Sequence, residues 1–365
     1  MKIPFLSLVD SYEAHEDEFN QAIRNVLSSG RYIGGEPLEK FERNFAKYTD
    51  AQYCVGLANG LDALEISLKA LGISEGDEVI VPSNTFIATW LAVSNVGAIP
   101  VPVEPNNKNY SIDVSKIDEA ISNQTKAIIP VHLYGQPADM DKILEIAKNN
   151  NLYVIEDAAQ AHGAIFKGQK IGAHGDIVAW SFYPGKNLGA FGDGGAITTN
   201  NKSLADKIKT IGNYGSKDKY VNILKGVNSR LDPIQATALD IKLKHLDSWN
   251  QSRRVIAKKY LEEIFLKDLV LPIHLDLENA AWHLFIIRHP QRDKLASYLK
   301  TQGIQTLIHY PIPPHKQEVY SSDFFNFDLP ICDLMSDELL SLPIGPHMPM
   351  DHVEYVIKKV NSFKS

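Results

Sequence analysis

The chain has 365 residues, a formal net charge of −7 and two cysteines. A chain this long is more than one ordinary core needs. It can bury about three quarters of its unfolded surface without disulfide staples. Net acidity without a basic cluster excludes nucleic acid as the expected partner. Cys54 and Cys332 stand far apart in no metal or redox spacing, which predicts a reduced, cytoplasmic protein with no metal site.

The N-terminal segment MKIPFLSLVDSYEAHEDEF turns acidic after an apolar run too short for a signal peptide. ANGLDALEISLKALGI then places Leu64, Leu68 and Leu71 on one helical face. The helix is expected to begin near Asp62 and to stop at Gly72. DEVIVP reads as a short buried strand, TFIATWLAVSNVG as a helix and AIPVPVEP as a strand. This is the longest apolar stretch, residues 87–103. Ser94, Asn95, Gly97 and two prolines break it, so no membrane span is expected.

TKAIIPVHLY predicts a further strand, MDKILEIAKNNN a helix, and LYVIED and GAITTN two more strands. Strands separated by helices imply parallel pairing with helices on both faces, and ligands gather beyond the strand C-termini of such sheets. From Asp232-Pro233, a good N-cap and N1 pair, the character changes. DPIQATALDIKLKHLDSW predicts one helix, followed by a charged helix through about Phe265. The domain change is placed near residue 248: residues 1–248 form a large domain and residues 249–365 a smaller α+β domain. The smaller one is expected to hold a strand AAWHLFIIRHP, a helix QRDKLASYLKTQG, a strand IQTLIHYP and a last helix DHVEYVIKKVNSF.

The most informative residues are two. LYVIEDAAQAHG delivers Asp157 from a strand into a turn, and SFYPGKNLGAFGDGG carries Lys186 in a glycine-flanked loop. Taken singly, the first reads as a turn or helix cap and the second as a solvated loop residue. Together they are what pyridoxal phosphate chemistry needs: an amine to join the cofactor aldehyde, and a carboxylate to keep the pyridine nitrogen protonated. A phosphate also needs donors. Ala58-Asn59-Gly60-Leu61 opens a helix whose free N–H groups and dipole favour an anion, and Ser181 can add a hydroxyl. The GDGG at 192–195 reads as a tight turn, and no dinucleotide fingerprint is present.

On these motifs the chain resembles the DegT/DnrJ/EryC1/StrS sugar aminotransferases, nearly end to end. IPFLSL, GRYIGGEPLEKFE, ANGLDAL, GDEVIVPSNTFIAT, VHLYGQPADMD, IEDAAQAHGA, SFYPGKNLGAFGDGGAI, NYGS, GVNSRLDPIQA and HYPIPPH all carry the likeness. It implies a fold type I (aspartate aminotransferase-like) α/β architecture: a mostly parallel sheet sandwiched by helices, plus a smaller C-terminal α+β domain. It also implies pyridoxal 5'-phosphate as cofactor, with pyridoxamine 5'-phosphate as the alternate form. By this resemblance Lys186 is the lysine that joins the cofactor and Asp157 the partner of the ring nitrogen. Gln160 bonds the ring hydroxyl oxygen, and Phe86 stacks on the ring. Ser181, Gly60 and Leu61 hold the phosphate; where the family usually has Gly-Thr this chain has Gly60-Leu61, leaving only a backbone donor at 61. Asn228 matches a phosphate contact from the other subunit, which implies a homodimer with shared active sites.

For substrate, the resemblance points to Tyr183, Lys219, His309 and Tyr310. Lys219 equally reads as a surface charge and His309 as a satisfied strand-end histidine. Arg230 is open between pairing with Asp232 and meeting the donor carboxylate. The implied reaction is amination at C-3 of a dTDP-3-keto-6-deoxyhexose, with glutamate leaving as 2-oxoglutarate, for a surface polysaccharide or a glycosylated small molecule. Competing readings are a 4-keto-sugar aminotransferase, a sugar dehydratase, which would typically carry histidine in place of Lys186, and a non-enzymatic regulator.

Overall fold

The computed structural model describes residues 1–273, 277–324 and 327–364. Its centre is a seven-stranded sheet. In spatial order the strands are Tyr53–Leu57, Gly195–Thr199, Ile177–Ser181, Tyr153–Asp157, Thr125–Ile128, Glu78–Pro82 and Ile99–Val103. Side chains of successive strand residues leave opposite faces, and the core shows it. Ile177 and Ala179 join one apolar cluster, which also takes in the helices Gly60–Leu71 and Ile87–Asn95. Val178 and Trp180 join another on the far face, with Phe41, Phe45 and the helix Pro233–Leu243. The sheet is therefore covered on both sides, which is why its strands read as near-continuous apolar runs.

The parallel expectation needs one correction. Gly195–Thr199 runs antiparallel to both neighbours, Tyr53–Leu57 and Ile177–Ser181. The lysine loop returns the chain directly beside the strand it has just left, and no crossover helix intervenes. Two strands of the sheet, Tyr53–Leu57 and Ile177–Ser181, lie in segments given no strand above, as do the early helices Glu16–Ser29 and Glu36–Tyr48.

Boundaries also move. The helix expected near Asp62 starts at Gly60, with Asn59 as N-cap accepting the Asp62 N–H at 2.8 Å. The long DPIQ helix ends at Leu243, where Lys244 and His245 bond back to Ile241 and Lys242 in tight turns; a second helix, Leu246–Glu263, follows. That helix runs without interruption through residue 248. Leu246 packs into the sheet-side cluster, while Ile256, Ala257 and Tyr260 join a C-terminal one.

The C-terminal cluster wraps a two-stranded antiparallel sheet, Phe285–Arg288 with Leu339–Leu342, under the helices Arg292–Thr301 and Met350–Asn361. Ile3, from the other end of the chain, completes it. The segment IQTLIHYP forms no strand. It makes only single bridges, Ile304 with Ile3 and Leu307 with Ser341, because proline and irregular pairing leave it no continuous ladder. Among the described residues no helix is long and apolar enough to cross a membrane.

Candidate active site

Asp157 is the last residue of its strand, and Ser181 is the last residue of the parallel strand beside it. The Gly60 helix opens after Leu57, which pairs with Gly195, itself the partner of Ser181. Phe86 follows Pro82 as the N-cap of the helix Ile87–Asn95. Sheet topology thus collects residues from four separate motifs at one edge, as expected for an open α/β sheet.

Asp157 is buried, with 7% of its surface exposed. Its Oδ1 accepts the Ala159 N–H at 3.1 Å and its Oδ2 accepts the Thr89 hydroxyl at 3.0 Å. Burial pushes its carboxyl up; the Ala159 N–H, the Thr89 hydroxyl and the Lys186 ammonium pull it part of the way back. Lys186 is lowered to about 8 by burial, opposed only by Asp157. At pH 7 about a tenth of such an amine is neutral, against about one in 2,500 for a free lysine. The lysine loop is tightly closed. The Lys186 N–H bonds Tyr183 O at 2.8 Å, and a Cβ on Gly189 would lie 2.3 Å from Pro184 O.

The helix N-terminus is built as a cradle. A Cβ on Gly60 would meet Ser181 Cβ at 2.7 Å, so only glycine lets this backbone press against the serine. Among the described residues the N–H groups of Gly60 and Leu61 have no acceptor, and the Gly60 backbone packs against the Ser181 side chain. Phe86 keeps 52% of its surface exposed although the residues just before it, Pro82 to Thr85, are buried. Its ring lies 5.3 Å from that of Tyr310. Gln160 accepts the Tyr134 N–H at 2.6 Å and donates to the Tyr310 hydroxyl at 3.0 Å, leaving one amide proton unused. A free anion cradle, an exposed aromatic face, a buried carboxylate and a lysine with a depressed pKa fit pyridoxal phosphate.

The structure brings further residues here that carried no signal in the sequence. Asn187 donates to Asn250 Oδ1 at 2.9 Å and to Ala281 O at 2.7 Å. Its oxygen therefore faces His283 Nδ1, 3.1 Å away, which makes that nitrogen the donor. Burial pushes His283 well below the usual histidine range, with Lys186 the next cause. His309 falls to about 4 for the same two reasons, and its Nδ1 meets Ser341 Oγ at 2.7 Å. Thr89, one helical turn past Phe86, was legible in principle from helical spacing; Asn187 and His283 have partners nearly a hundred residues away.

Of the other expected residues, Tyr183 lies in the lysine loop, while Lys219, Asn228 and Arg230 make no contact with Asp157 or Lys186 among the described residues. Tyr183 is 60% exposed. Lys219 sits on the hairpin formed by Ser216–Asp218 and Val221–Asn222, its Nζ 5.2 Å from the Tyr220 ring. Asn228 is exposed and bridges Asn213 through the backbone. Arg230 makes no ion pair with Asp232 among the described residues; its Nη1 donates to Asn213 Oδ1 at 3.0 Å.

The family model for the DegT/DnrJ/EryC1/StrS aminotransferase family matches residues 13–361. The chain belongs to that family. A relative of this aminotransferase from Aneurinibacillus thermoaerophilus, a dTDP-3-amino-3,6-dideoxy-alpha-D-galactopyranose transaminase, is 53% identical and covers 99% of both chains. The crystal structure of S. venezuelae DesV in complex with a ketimine intermediate is similar with a TM-score of 0.97 at 48% identity, covering 99% of this chain and 98% of that one. That of ntda from Bacillus subtilis with bound cofactor pmp has a TM-score of 0.91 at 34% identity, covering 98% and 84%.

Proposed function

We propose that this aminotransferase converts a dTDP-linked 3-keto-6-deoxyhexose into the 3-amino-3,6-dideoxyhexose, with pyridoxal 5'-phosphate as cofactor and glutamate as amino donor. The observation that carries the reading is that buried Asp157 and Lys186 lie near enough for each to shift the other's titration, at a sheet edge that also holds an unsatisfied helix N-terminus. The 53% identical relative makes a dTDP-3-amino sugar, which supports C-3 as the aminated carbon.

When bound, the cofactor supplies an aldehyde carbon for the amine and an electron-poor ring to draw charge from the reacting carbon. Asp157 keeps the ring nitrogen protonated by holding its proton in a buried ion pair. Lys186 takes the proton from the donor α-carbon and returns one to the sugar at C-3. Gln160 offers its unused amide proton to the ring hydroxyl oxygen, and Phe86 covers one ring face. The Gly60 and Leu61 N–H groups and the Ser181 hydroxyl hold the phosphate, with Asn228 reaching it from the partner of a homodimer. Tyr183, Lys219, His309 and Tyr310 border the sugar. In this reading residues 1–248 and 249–365 are the two domains, and the chain is cytoplasmic; its two cysteines are both free thiols.

Incubation with glutamate and each keto isomer of the dTDP-sugar tests the reading. The 3-keto compound should be aminated. Amination of the 4-keto compound alone would replace this assignment with the regioisomeric one. A dehydratase would release ammonia and accumulate no amino sugar.

A further inference from the structure

A second space opens against the lysine loop. A cavity of about 300 Å³ opens on Lys186 and Asn187, with Ser7, Ser11, Lys242 and Arg253 as its other polar walls. Among the described residues no aspartate or glutamate lines it. Three of its side chains are cations, and two of these are almost fully covered: Lys242 is 6% exposed and Arg253 is 3% exposed.

Neither buried cation is neutralised. Among the described residues no carboxylate forms an ion pair with either. Lys242 Nζ donates once, to Gly189 O at 2.6 Å, and lies 4.3 Å from the Phe191 ring centroid. Arg253 uses Nη1 alone, toward the carbonyls of Trp282 at 3.3 Å, His283 at 3.3 Å and Ile344 at 3.1 Å. Its Nε and Nη2 have no acceptor among the described residues. Burial alone pulls Lys242 down to about 8 and Arg253 to about 10. Buried charges in proteins are ordinarily paired, because desolvation costs several kcal/mol per ion. Two unpaired ones on one wall mark the place of an anion that the chain does not itself provide.

The cofactor phosphate is not that anion, since Gly60, Leu61 and Ser181 are absent from these walls. A nucleotide-linked hexose is too large. The volume lies at the small end of ligand pockets, which run from about 300 to 1,000 Å³. We propose that this cavity receives the carboxylates of a dicarboxylic amino donor, with Lys242 and Arg253 as its anion-binding groups. This rests on the aminotransferase reading and names the donor side of its site. Lys186 lines the same cavity as both cations, so a dicarboxylate donor finds a cation for each of its carboxylates beside the reacting amine.

The experiment separates the two half-reactions. In Lys242→Met, the glutamate concentration that half-saturates conversion of the cofactor to its amino form should rise at least tenfold. The return of the cofactor to its aldehyde form, driven by the dTDP-3-keto sugar, should lose far less. Lys242→Arg should recover most of the difference. A binding arm uses cofactor-free protein and glutarate, which carries no amino or keto group. Calorimetry should show glutarate binding that weakens about tenfold in Lys242→Met, and valerate should bind much more weakly than glutarate. In wild-type protein, glutarate should slow acylation of Lys242, read by peptide mass spectrometry, so the idea stays open to refutation even if the methionine variant does not fold. Equal losses in both half-reactions, or no glutarate protection of Lys242, would overturn the donor site while leaving the aminotransferase standing. A wild-type protein inert toward every keto sugar would instead overturn the proposed function.

Discussion

Thr89 donates its hydroxyl to Oδ2 of Asp157 at 3.0 Å from one helical turn beyond Phe86. One short helix, Ile87–Asn95, therefore sets both the exposed aromatic ring and the orientation of the buried carboxylate. Thr89→Val keeps the shape but strips one donor from a buried carboxylate, a loss of about 1–3 kcal/mol. Asp157 should then titrate higher still. We expect turnover to fall about tenfold or more, with Thr89→Ser close to wild type. Equal kcat values for the valine and serine variants would show that the bond does not matter.

Lys186 offers a direct electrostatic check. Burial lowers its amine to about 8 and Asp157 opposes that shift. Removing the opposing charge in Asp157→Asn should lower the amine further. In cofactor-free protein, the rate of reductive methylation at Lys186 should rise with pH through a midpoint near 8, and that midpoint should move down in the asparagine variant. An upward move would contradict the proposed pairing. Lys186→Ala should abolish steady turnover, because in the proposed mechanism the lysine both joins the cofactor and carries the proton. Cofactor held by the Gly60 cradle should still be retained on gel filtration.

The proposed sharing of sites between subunits makes a complementation prediction. Lys186→Ala and Asn228→Asp homodimers should each be nearly inactive, the second because a like charge meets the phosphate. A mixed dimer restores one site, in which an intact Lys186 faces an intact Asn228 from the other subunit. Co-expressed, differently tagged chains purified as the mixed dimer should regain about half of wild-type activity per dimer. Failure to regain any would mean that each chain completes its own site.

His162 predicts acid sensitivity. Its ring is fully buried between Trp180 and Phe182, and among the described residues neither nitrogen meets a partner at hydrogen-bond geometry. Burial lowers it to about 3. In the unfolded chain it protonates near pH 6.5. The unfolded state therefore binds the extra proton between about pH 6.5 and 3, and stability falls as pH drops through that window. One such histidine contributes at most about 1.4 kcal/mol per pH unit. His162→Phe fills the same aromatic box without an orphaned nitrogen. Urea midpoints measured from pH 7 to pH 4 should decline less steeply in this variant, and its stability at pH 7 should be equal or higher. Parallel declines in the two proteins would refute the account.

Much of the architecture was readable because its signals are local. Leu64, Leu68 and Leu71 repeat at helical spacing, Asn59 is a good cap, and Gly72 ends the helix with a positive φ that glycine adopts freely. The antiparallel return of Gly195–Thr199 was not readable, because strand direction depends on where the chain comes back and not on which residues it contains. IQTLIHYP misled for the opposite reason. Its apolar composition suits a strand, yet a ladder needs a continuous partner, and only Ile3 and Ser341 are offered.

The amino-acid sequence by itself determined the chemical groups: a carboxylate at a strand end, a lysine in a constrained loop, and a glycine at a helix N-terminus. These follow from side-chain chemistry and short-range spacing, which survive in one dimension. Only the tertiary structure decided how those groups are tuned. Thr89 on Asp157, His283 on Asn187, and the unpaired Lys242 and Arg253 behind Lys186 are all long-range placements. Burial, which shifts every one of the titrations described above, exists only once distant segments have closed over the site.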